Sequence, residues 1–507
     1  MNHLYYGDNL EVLRKYIHDE SIDLCYIDPP FNSKRNYNQI YNNVGKEDAA
    51  QAQAFVDTWT WDELAIKGLK EIVGNERGLL SSQTINLVLG LEKVIGMGSL
   101  LAYLISITLR VVEIHRVLKS TGSFYLHCDP TSSHYLKLVL DSVFCSQGGD
   151  FKNEIIWCYS HGGKSKRHFG RKHDVIFYYS KTTKYKFNPD RIKIQMRSGK
   201  ESFGGKLEVD EDGRQYRLVY GTKNSKGETK YYKYYLDEGK IPEDWWTDIN
   251  SLQASSSERL GYPTQKPESL LERIIQAGSD EGDIILDAYC GCGTTVAVAQ
   301  KLNRKWIGID ITYQSISLIL KRLEDAHGSD VLKAVNLAGI PKDMRSAEEL
   351  ANKNDDRTRK EFEKWAVLTY SKNRAAINQK KGADQGVDGW GFFPIDDKLF
   401  GRIVFQVKSG KVGAKDIRDL LGTITREKAE LGIFITLKTP TKDMLKEAKS
   451  YGLYHFDLMQ QDVPKVQIVT IQEILEKNIC LNMPLVAGVL KTSPRHVDGD
   501  QLDLLVG

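Results

Sequence analysis

The chain has 507 residues, more than one hydrophobic core usually organises, so two or three domains are expected. Its composition, 41% hydrophobic and 27% charged, is that of an ordinary globular protein; the longest uncharged run, Val94 to Leu109, falls short of the ~20 residues of a membrane span and reads as a buried helix, so no membrane partner is expected. A net charge of +3, from 70 Lys+Arg against 67 Asp+Glu, excludes a strong global field, and a nucleic-acid partner therefore requires a local basic patch.

The start, Met1 to Asp8, lacks the basic-then-apolar form of a signal peptide. The seven cysteines (Cys25, Cys128, Cys145, Cys158, Cys290, Cys292 and Cys480) are odd in number and contain no CxxC pair, so neither a disulfide framework nor a zinc knuckle is favoured, and a reducing cytoplasm fits. From Leu4 to Lys15 the pattern is a strand, the turn Gly7-Asp8-Asn9 and a short amphipathic helix. The apolar run Ile22 to Ile27 is a second strand, and Asp28-Pro29-Pro30-Phe31-Asn32 is a loop at its carboxyl end. Two prolines fix φ twice in succession, which holds the carbonyls between Asp28 and Phe31 in place. A carboxylate, a rigid carbonyl and an aromatic face suit a planar amine such as a nucleobase amino group: the oxygens accept its two N–H bonds and the ring stacks on its face. The bland alternative is a plain Asp-Pro turn after a strand.

Further along, Asp57 to Asp62 lies in a polar insertion that could cover a site, without an assignable chemical role. Ser99 to Leu118 reads as a helix, Gly122 to Cys128 as a strand and Ser132 to Phe144 as another helix. His127 and Cys128 have no partner at metal-ligand spacing. Between about 150 and 250 the chain turns basic and aromatic, with Lys164, Lys166, Arg167, His168, Arg171 and Lys172 followed by a second basic run from Lys181 to Arg197. Phosphate contacts would explain that charge, and glycines at 162, 163 and 170 would let loops follow a groove; a solvated, strand-rich insertion is the plain alternative.

A second focal stretch runs from Gly282 to Thr295: an apolar strand, Asp287, the turn Ala288-Tyr289-Cys290-Gly291-Cys292-Gly293 and a helix start at Thr294. This is the usual geometry for a nucleotide-like ligand at a sheet's carboxyl edge. The next strand, Lys305 to Asp310, ends in an acid about twenty residues on, where a ribose hydroxyl pair wants an acceptor. Helix capping is the structural alternative for Asp287, and small-residue packing for Cys290 and Cys292.

Together these stretches resemble the amino-methylating DNA methyltransferases, which use S-adenosylmethionine to modify adenine or the amino group of cytosine. The resemblance covers roughly residues 1–345 and rests on Gly7-Asp8-Asn9, Asp28-Pro29-Pro30-Phe31, Gly122 to Asp129, Tyr262 to Pro267, Asp287 to Thr295 and Trp306 to Asp310. Their order resembles the permuted β-type arrangement, which implies an α/β, Rossmann-like fold with a seven-stranded, mostly parallel sheet and a target-recognition insertion at about 150–250. It implies Asp28 and the Pro29 carbonyl as acceptors for the target amine, Pro30 as a stiffener of that loop and Phe31 as the stacking face. It gives the cofactor Asp287, Tyr289, Gly291, Gly293 and Asp310, with Asp8, Thr264, Lys266 and Thr294 lining the same pocket. DNA contacts fall to Lys164, Lys166, Arg167, Arg171 and Lys172. The family usually has D-P-F or D-P-Y where this chain reads Asp287-Ala288-Tyr289, so that loop is expected to be less rigid. The target base must be extruded from the duplex, at a cost of a few kcal/mol. Asp at the head of the 28–31 loop favours adenine over cytosine.

Ser346 to Lys360 reads as a linker before a helix, Glu361 to Tyr370. Gly382 to Trp390 is a glycine-rich turn, Arg402 to Val407 a strand, Asp416 to Leu431 a helix and Gly432 to Leu437 a strand. Asp388, Gln406 and Lys408 would share one face of a hairpin, a geometry able to hold a divalent ion and an attacking water. The region about 356–480 resembles the Mrr-like branch of PD-(D/E)xK restriction nucleases, in which Gln replaces the second acid. That resemblance implies Mg2+ at Asp388, Gln406 and Glu363, with Lys408 offsetting developing charge.

The expected organisation is a methyltransferase at 1–345, a linker at 346–360, a restriction-endonuclease-like α/β domain at 361–480 and a tail at 481–507. Acting on double-stranded DNA, such a fusion would serve restriction-modification or phage defence, as a homodimer or with a further restriction or defence subunit. No Walker-type phosphate loop is present, so no ATP-driven translocation is expected from this chain. Two alternatives stand beside it: a solitary methyltransferase whose C-terminal domain is inactive and merely binds DNA, and a catalytically silent nucleic-acid-binding protein.

Overall fold

The structure is a computed structural model that describes residues 2–30, 35–39, 52–57, 59–160, 166–195, 207–223, 229–253, 256, 258–260, 262, 264–352, 356–378, 386–395, 400–456, 461–483 and 485. At its centre is a nine-stranded sheet. In spatial order it runs Trp245–Trp246, Asp150–Cys158, His173–Ser180, Leu118–Cys128, Ile22–Ile27, Ile284–Asp287, Lys305–Asp310, Asn2–Tyr6 and Val335–Ala338. His173–Ser180 is antiparallel to both of its neighbours, and every other adjacent pair is parallel. All six residues of Ile22–Ile27 are buried, as a strand covered by helices on both faces requires.

The α/β class and the mostly parallel sheet agree with the sequence. The expected seven strands are exceeded by two, one at each edge: the two-residue Trp245–Trp246, and Val335–Ala338 beside the first strand of the chain. Pairing explains the permuted order of the motifs. Leu4 lies opposite both Gly308 and Leu337, so the amino-terminal strand slots between strands from the other end of the domain.

The stretch read as a recognition insertion, 150–250, divides in two. Asp150–Cys158 and His173–Ser180 belong to the central sheet, drawn in by strongly apolar stretches such as Val175 to Tyr179. What stands apart is a three-stranded antiparallel sheet of Leu207–Val209, Gln215–Lys223 and Thr229–Tyr235. The expected linker is likewise corrected. Met344–Ala351 is a helix with a capping box between Asp343 and Ser346, and Asp356–Tyr370 is a helix that begins before Glu361.

The C-terminal part forms a five-stranded sheet in the order Ala376–Ile377, Gly389–Pro394, Phe400–Lys408, Leu431–Thr436 and Val466–Thr470, with helices Ala414–Arg426 and Lys442–Ser450 packed on it. One apolar cluster runs from Leu4, Ile316 and Leu323 through Leu350, Phe362 and Trp365 to Phe405 and Ile433, so the two sheets share a continuous core. Among the described residues no helix is long and apolar enough to cross a membrane.

Candidate active site

Leu286 pairs with Cys25 in parallel register, so the strands ending at Ile27 and Asp287 deliver Asp28 and Asp287 to the same edge of the sheet. A cavity of about 1230 Å³ opens there. Asp8, Asp28, Pro29, Pro30, Thr264, Lys266, Asp287, Tyr289, Gly291, Thr294 and Asp310 all line it. The stiff loop and the glycine turn, more than 250 positions apart in sequence, thus face one space. Phe31 and Lys164 lie outside the described residues.

Asp28 accepts a hydrogen bond from the Lys266 ammonium through Oδ2, at 2.5 Å. Lys266 is itself buried, so the ion pair is largely withdrawn from water and its removal from either side would strand a charge.

The glycine turn is fixed by hydrogen bonds. The Tyr289 amide donates to Asp287 Oδ1 at 2.9 Å, and Asn9 Nδ2 donates to the Ala288 carbonyl at 2.8 Å. These two bonds brace the loop that lacks the usual proline. Gly291, at φ +48°, donates its amide to Asp310 Oδ2 at 2.9 Å, and a Cβ there would come within 3.2 Å of the Tyr262 ring. Gly293 does not line the cavity; at φ +75° it opens the helix Thr294–Lys301, with Ile319 against the place a Cβ would occupy. Burial pushes the Asp287 carboxyl up to about 7, with the charges of Asp28 and Asp310 adding to it and hydrogen bonds from Thr295 and the Tyr289 amide opposing it. Burial likewise raises Asp310 to about 6, against the hydrogen bonds it accepts from Thr312 and Gly291.

Arg110, and the bracing role of Asn9, escaped the sequence reading, while Asp8 was expected at the pocket. Asp8 caps helix Asn9–Tyr16 by accepting from the Leu10 and Glu11 amides, and pairs with Arg110 at 3.0 Å. Arg110 also donates to Asn9 Oδ1 at 2.5 Å, holding the side chain that braces Ala288. The signal was present: Arg110 is the charge that ends the apolar run of helix Ser99–Val117. In the 57–62 stretch Asp62 caps helix Glu63–Gly74, while Trp59 and Thr60 line the cavity. His127 is a core histidine, bonded to the Tyr26 hydroxyl at 2.8 Å and to Asp174 at 3.1 Å.

Of the basic residues, Lys166, Arg167 and Arg171 are exposed, whereas Lys172 is half-buried and donates to the Ser160 carbonyl at 2.7 Å. The separate three-stranded sheet adds what the sequence reading overlooked: Tyr220, Tyr231, Tyr232 and Tyr234 expose 68, 64, 51 and 48% of their surface.

In the C-terminal part, Gly389 pairs with Phe405, which sets Asp388 opposite Gln406 with Lys408 two residues further on. Asp388 Oδ2 accepts the Val407 amide at 2.6 Å. Gln406 is buried with Oε1 unpaired, and Lys408 is exposed. Glu363 and Asp388 line the cavity described above, which Gln406 and Lys408 do not reach. Among the described residues no group of three or more His, Cys, Asp or Glu is arranged to hold a metal ion.

Comparison with known proteins agrees with this division. A model described as NACHT-associated inactive Restriction Endonuclease 1 matches residues 359–476, which replaces the expected likeness to an active Mrr-like nuclease with one to a family described as inactive. The chain is 29% identical over 325 residues to the DNA adenine methyltransferase YhdJ of Escherichia coli (strain K12), spanning 64% of this chain and 83% of that one. It is 30% identical to the type II methyltransferase M.BglII of Bacillus subtilis, over 41% of this chain. To M.HpaI of Haemophilus parainfluenzae it is 31% identical, over 42%. It spans only 55 and 56% of the length of those two. Among solved structures, the cytosine-N4-specific PvuII DNA methyltransferase aligns over 66% of this chain and 91% of its own, at 14% identity and a TM-score of 0.38. The N6/N4 methyltransferase model, described as DNA methylase, matches residues 22–321, more than half the chain and including both the Asp28 loop and the glycine turn, and the protein belongs to that family of DNA methyltransferases.

Proposed function

We propose that this protein transfers the methyl group of S-adenosylmethionine to the exocyclic amino group of a flipped base in double-stranded DNA, adenine in preference to cytosine, and that its C-terminal fold does not cut DNA. The observation that carries the reading is the shared cavity: the Asp28-Pro29-Pro30 loop on one strand end and Asp287, Gly291 and Asp310 on its neighbours. The residues suit the donor. Two buried carboxylates stand where a ribose and a cationic amino acid would be held, and a positive-φ glycine brings backbone to the ligand without a Cβ in the way. S-adenosylmethionine supplies, when bound, an electrophilic methyl group on a cationic sulfur.

The protein's part is placement. Asp28 accepts one N–H of the target amine and the Pro29 carbonyl accepts the other, turning the nitrogen lone pair toward the methyl group. Lys266 pairs with the Asp28 carboxylate and orients it while the base enters. Phe31 is assigned the stacking face for that base. Lys166, Arg167 and Arg171 contact phosphates, and the exposed tyrosines of the three-stranded sheet give the duplex a polar, aromatic surface. The preference for adenine is supported by the acidic head of the loop and by the adenine methyltransferase among the relatives; a role in restriction-modification is supported by the type II methyltransferases.

Mg2+ does not fit the C-terminal residues. Glu363 and Asp388 line the cavity while Gln406 does not, and among the described residues no group of three or more His, Cys, Asp or Glu is arranged to hold a metal ion. Nucleoside mass spectrometry of DNA incubated with enzyme and donor is the test: N6-methyladenine is expected, N4-methylcytosine would reverse the base assignment, and unmodified DNA would refute the function.

A further inference from the structure

The cavity is not walled by the methylase fold alone. Lys360, Glu361, Glu363 and Lys364 from helix Asp356–Tyr370, together with Asn378 and Asp388, line the same space. Glu361 reaches into the methylase part. It is 7% exposed, and its Oε2 accepts the Tyr313 amide at 3.1 Å and the Tyr6 hydroxyl at 3.5 Å, while Oε1 accepts Lys364 Nζ at 2.6 Å. Tyr313 is the first residue of helix Tyr313–His327, so its amide is one of the donors a helix leaves unpaired, and a carboxylate is the favoured partner at that end. Thr312 caps the same helix through Ser315. Thr312 in turn donates its amide and hydroxyl to Asp310 Oδ1, at 2.9 and 3.1 Å, and the other Asp310 oxygen holds the Gly291 amide. A continuous path of bonded neighbours therefore leads from the C-terminal fold to the glycine turn.

We propose that Glu361 is a positioning residue for the methyl-donor site, and that the nuclease-like fold serves this protein as one wall of that site, fixing Asp310 and Gly291 through the start of helix Tyr313–His327. The inference rests on the reading of the cavity as the donor site. It also gives the C-terminal carboxylates a different orientation from that of a nuclease: Glu363 and Asp388 face the donor cavity.

The test uses the full chain, with S-adenosylmethionine binding measured by calorimetry alongside KM for the donor, kcat at saturating donor and thermal unfolding. Glu361→Ala removes the acceptor and is expected to weaken donor binding and raise KM about tenfold, the scale of a lost helix cap, with kcat within about twofold. Glu361→Gln keeps an acceptor oxygen at the same reach and is expected to restore donor binding to within about twofold of the wild type. Should the alanine variant not fold, Glu361→Asp decides: it keeps the charge but withdraws it from the Tyr313 amide, so weaker donor binding supports the proposal and wild-type binding overturns it. Unchanged donor affinity in Glu361→Ala overturns it, and so does a parallel loss of kcat and melting temperature with affinity intact. Failure of the functional reading itself looks different, because the wild type would then bind no donor at all.

Discussion

A carboxylate at each of three neighbouring strand ends would repel its fellows in water; here the protein spends burial and hydrogen bonds to hold Asp28, Asp287 and Asp310 around one cavity. Asp28 is balanced by Lys266, while Asp287 and Asp310 are raised by burial. The sign of the consequence follows from linkage. In the unfolded chain Asp287 titrates near 3.8 and in the fold at about 7, so across that window the folded protein keeps a proton the unfolded chain has released. The contribution of this group to stability therefore falls as pH rises from about 4 to about 7 and stays low above it. Asp287→Asn should flatten that dependence in donor-free protein: the melting temperature of the variant minus that of the wild type should grow across the window, and a difference independent of pH would contradict the assignment. Residue chemistry of this kind was partly legible beforehand. Asp28, Asp287 and Asp310 announce themselves by ending apolar strands, whereas the partners of Arg110 and Asn9, 101 and 279 positions away, are set by the fold. Glu361 was read only as the start of a helix, and its partner is a backbone amide 48 positions away.

At the scale of elements, the strands that build the site were readable because they are continuous apolar runs bounded by Gly, Pro or Asp. Boundaries failed where that contrast fades. Met344–Ala351 buries only Ala347, Leu350 and Ala351 and so looks like a charged connector, although its Asp343–Ser346 cap was visible. Trp245–Trp246 is too short to show any period. The basic composition near residue 170 hid the fact that His173–Ser180 is a core strand, because the charge sits on the loop before it. The three-stranded sheet carries the exposed aromatic surface that the proposed DNA contact uses. Tyr231 pairs with Tyr220 across two strands, and both are largely exposed beside Lys233. Stacking of such a ring on an unpaired base is worth about 1–3 kcal/mol. Replacing Tyr220 and Tyr231 together by Ala should weaken DNA binding about tenfold or more in a fluorescence anisotropy titration while leaving donor affinity intact. Unchanged DNA affinity would assign recognition to another surface.

At the scale of the molecule, two folds share one apolar core and one cavity. The sequence told of two α/β units and of the order in which they come; it could not tell that they meet, since the contact joins residues such as Tyr6 and Glu361 that no local pattern relates. Likeness to a nuclease was legible in Asp388, Gln406 and Lys408; that Asp388 accepts the Val407 amide and lines the methylase cavity was not. Full-length protein incubated with Mg2+ and unmethylated DNA should leave the DNA uncut; cleavage abolished by Asp388→Ala and Lys408→Ala would restore the nuclease.

The most direct measurement is transfer of a labelled methyl group from S-adenosylmethionine to duplex DNA by the wild type and by Asp28→Ala, with donor binding checked in both. The account predicts labelling by the wild type, a fall of at least about a hundredfold in the variant, and undiminished donor binding. Equal labelling by the two proteins would contradict it.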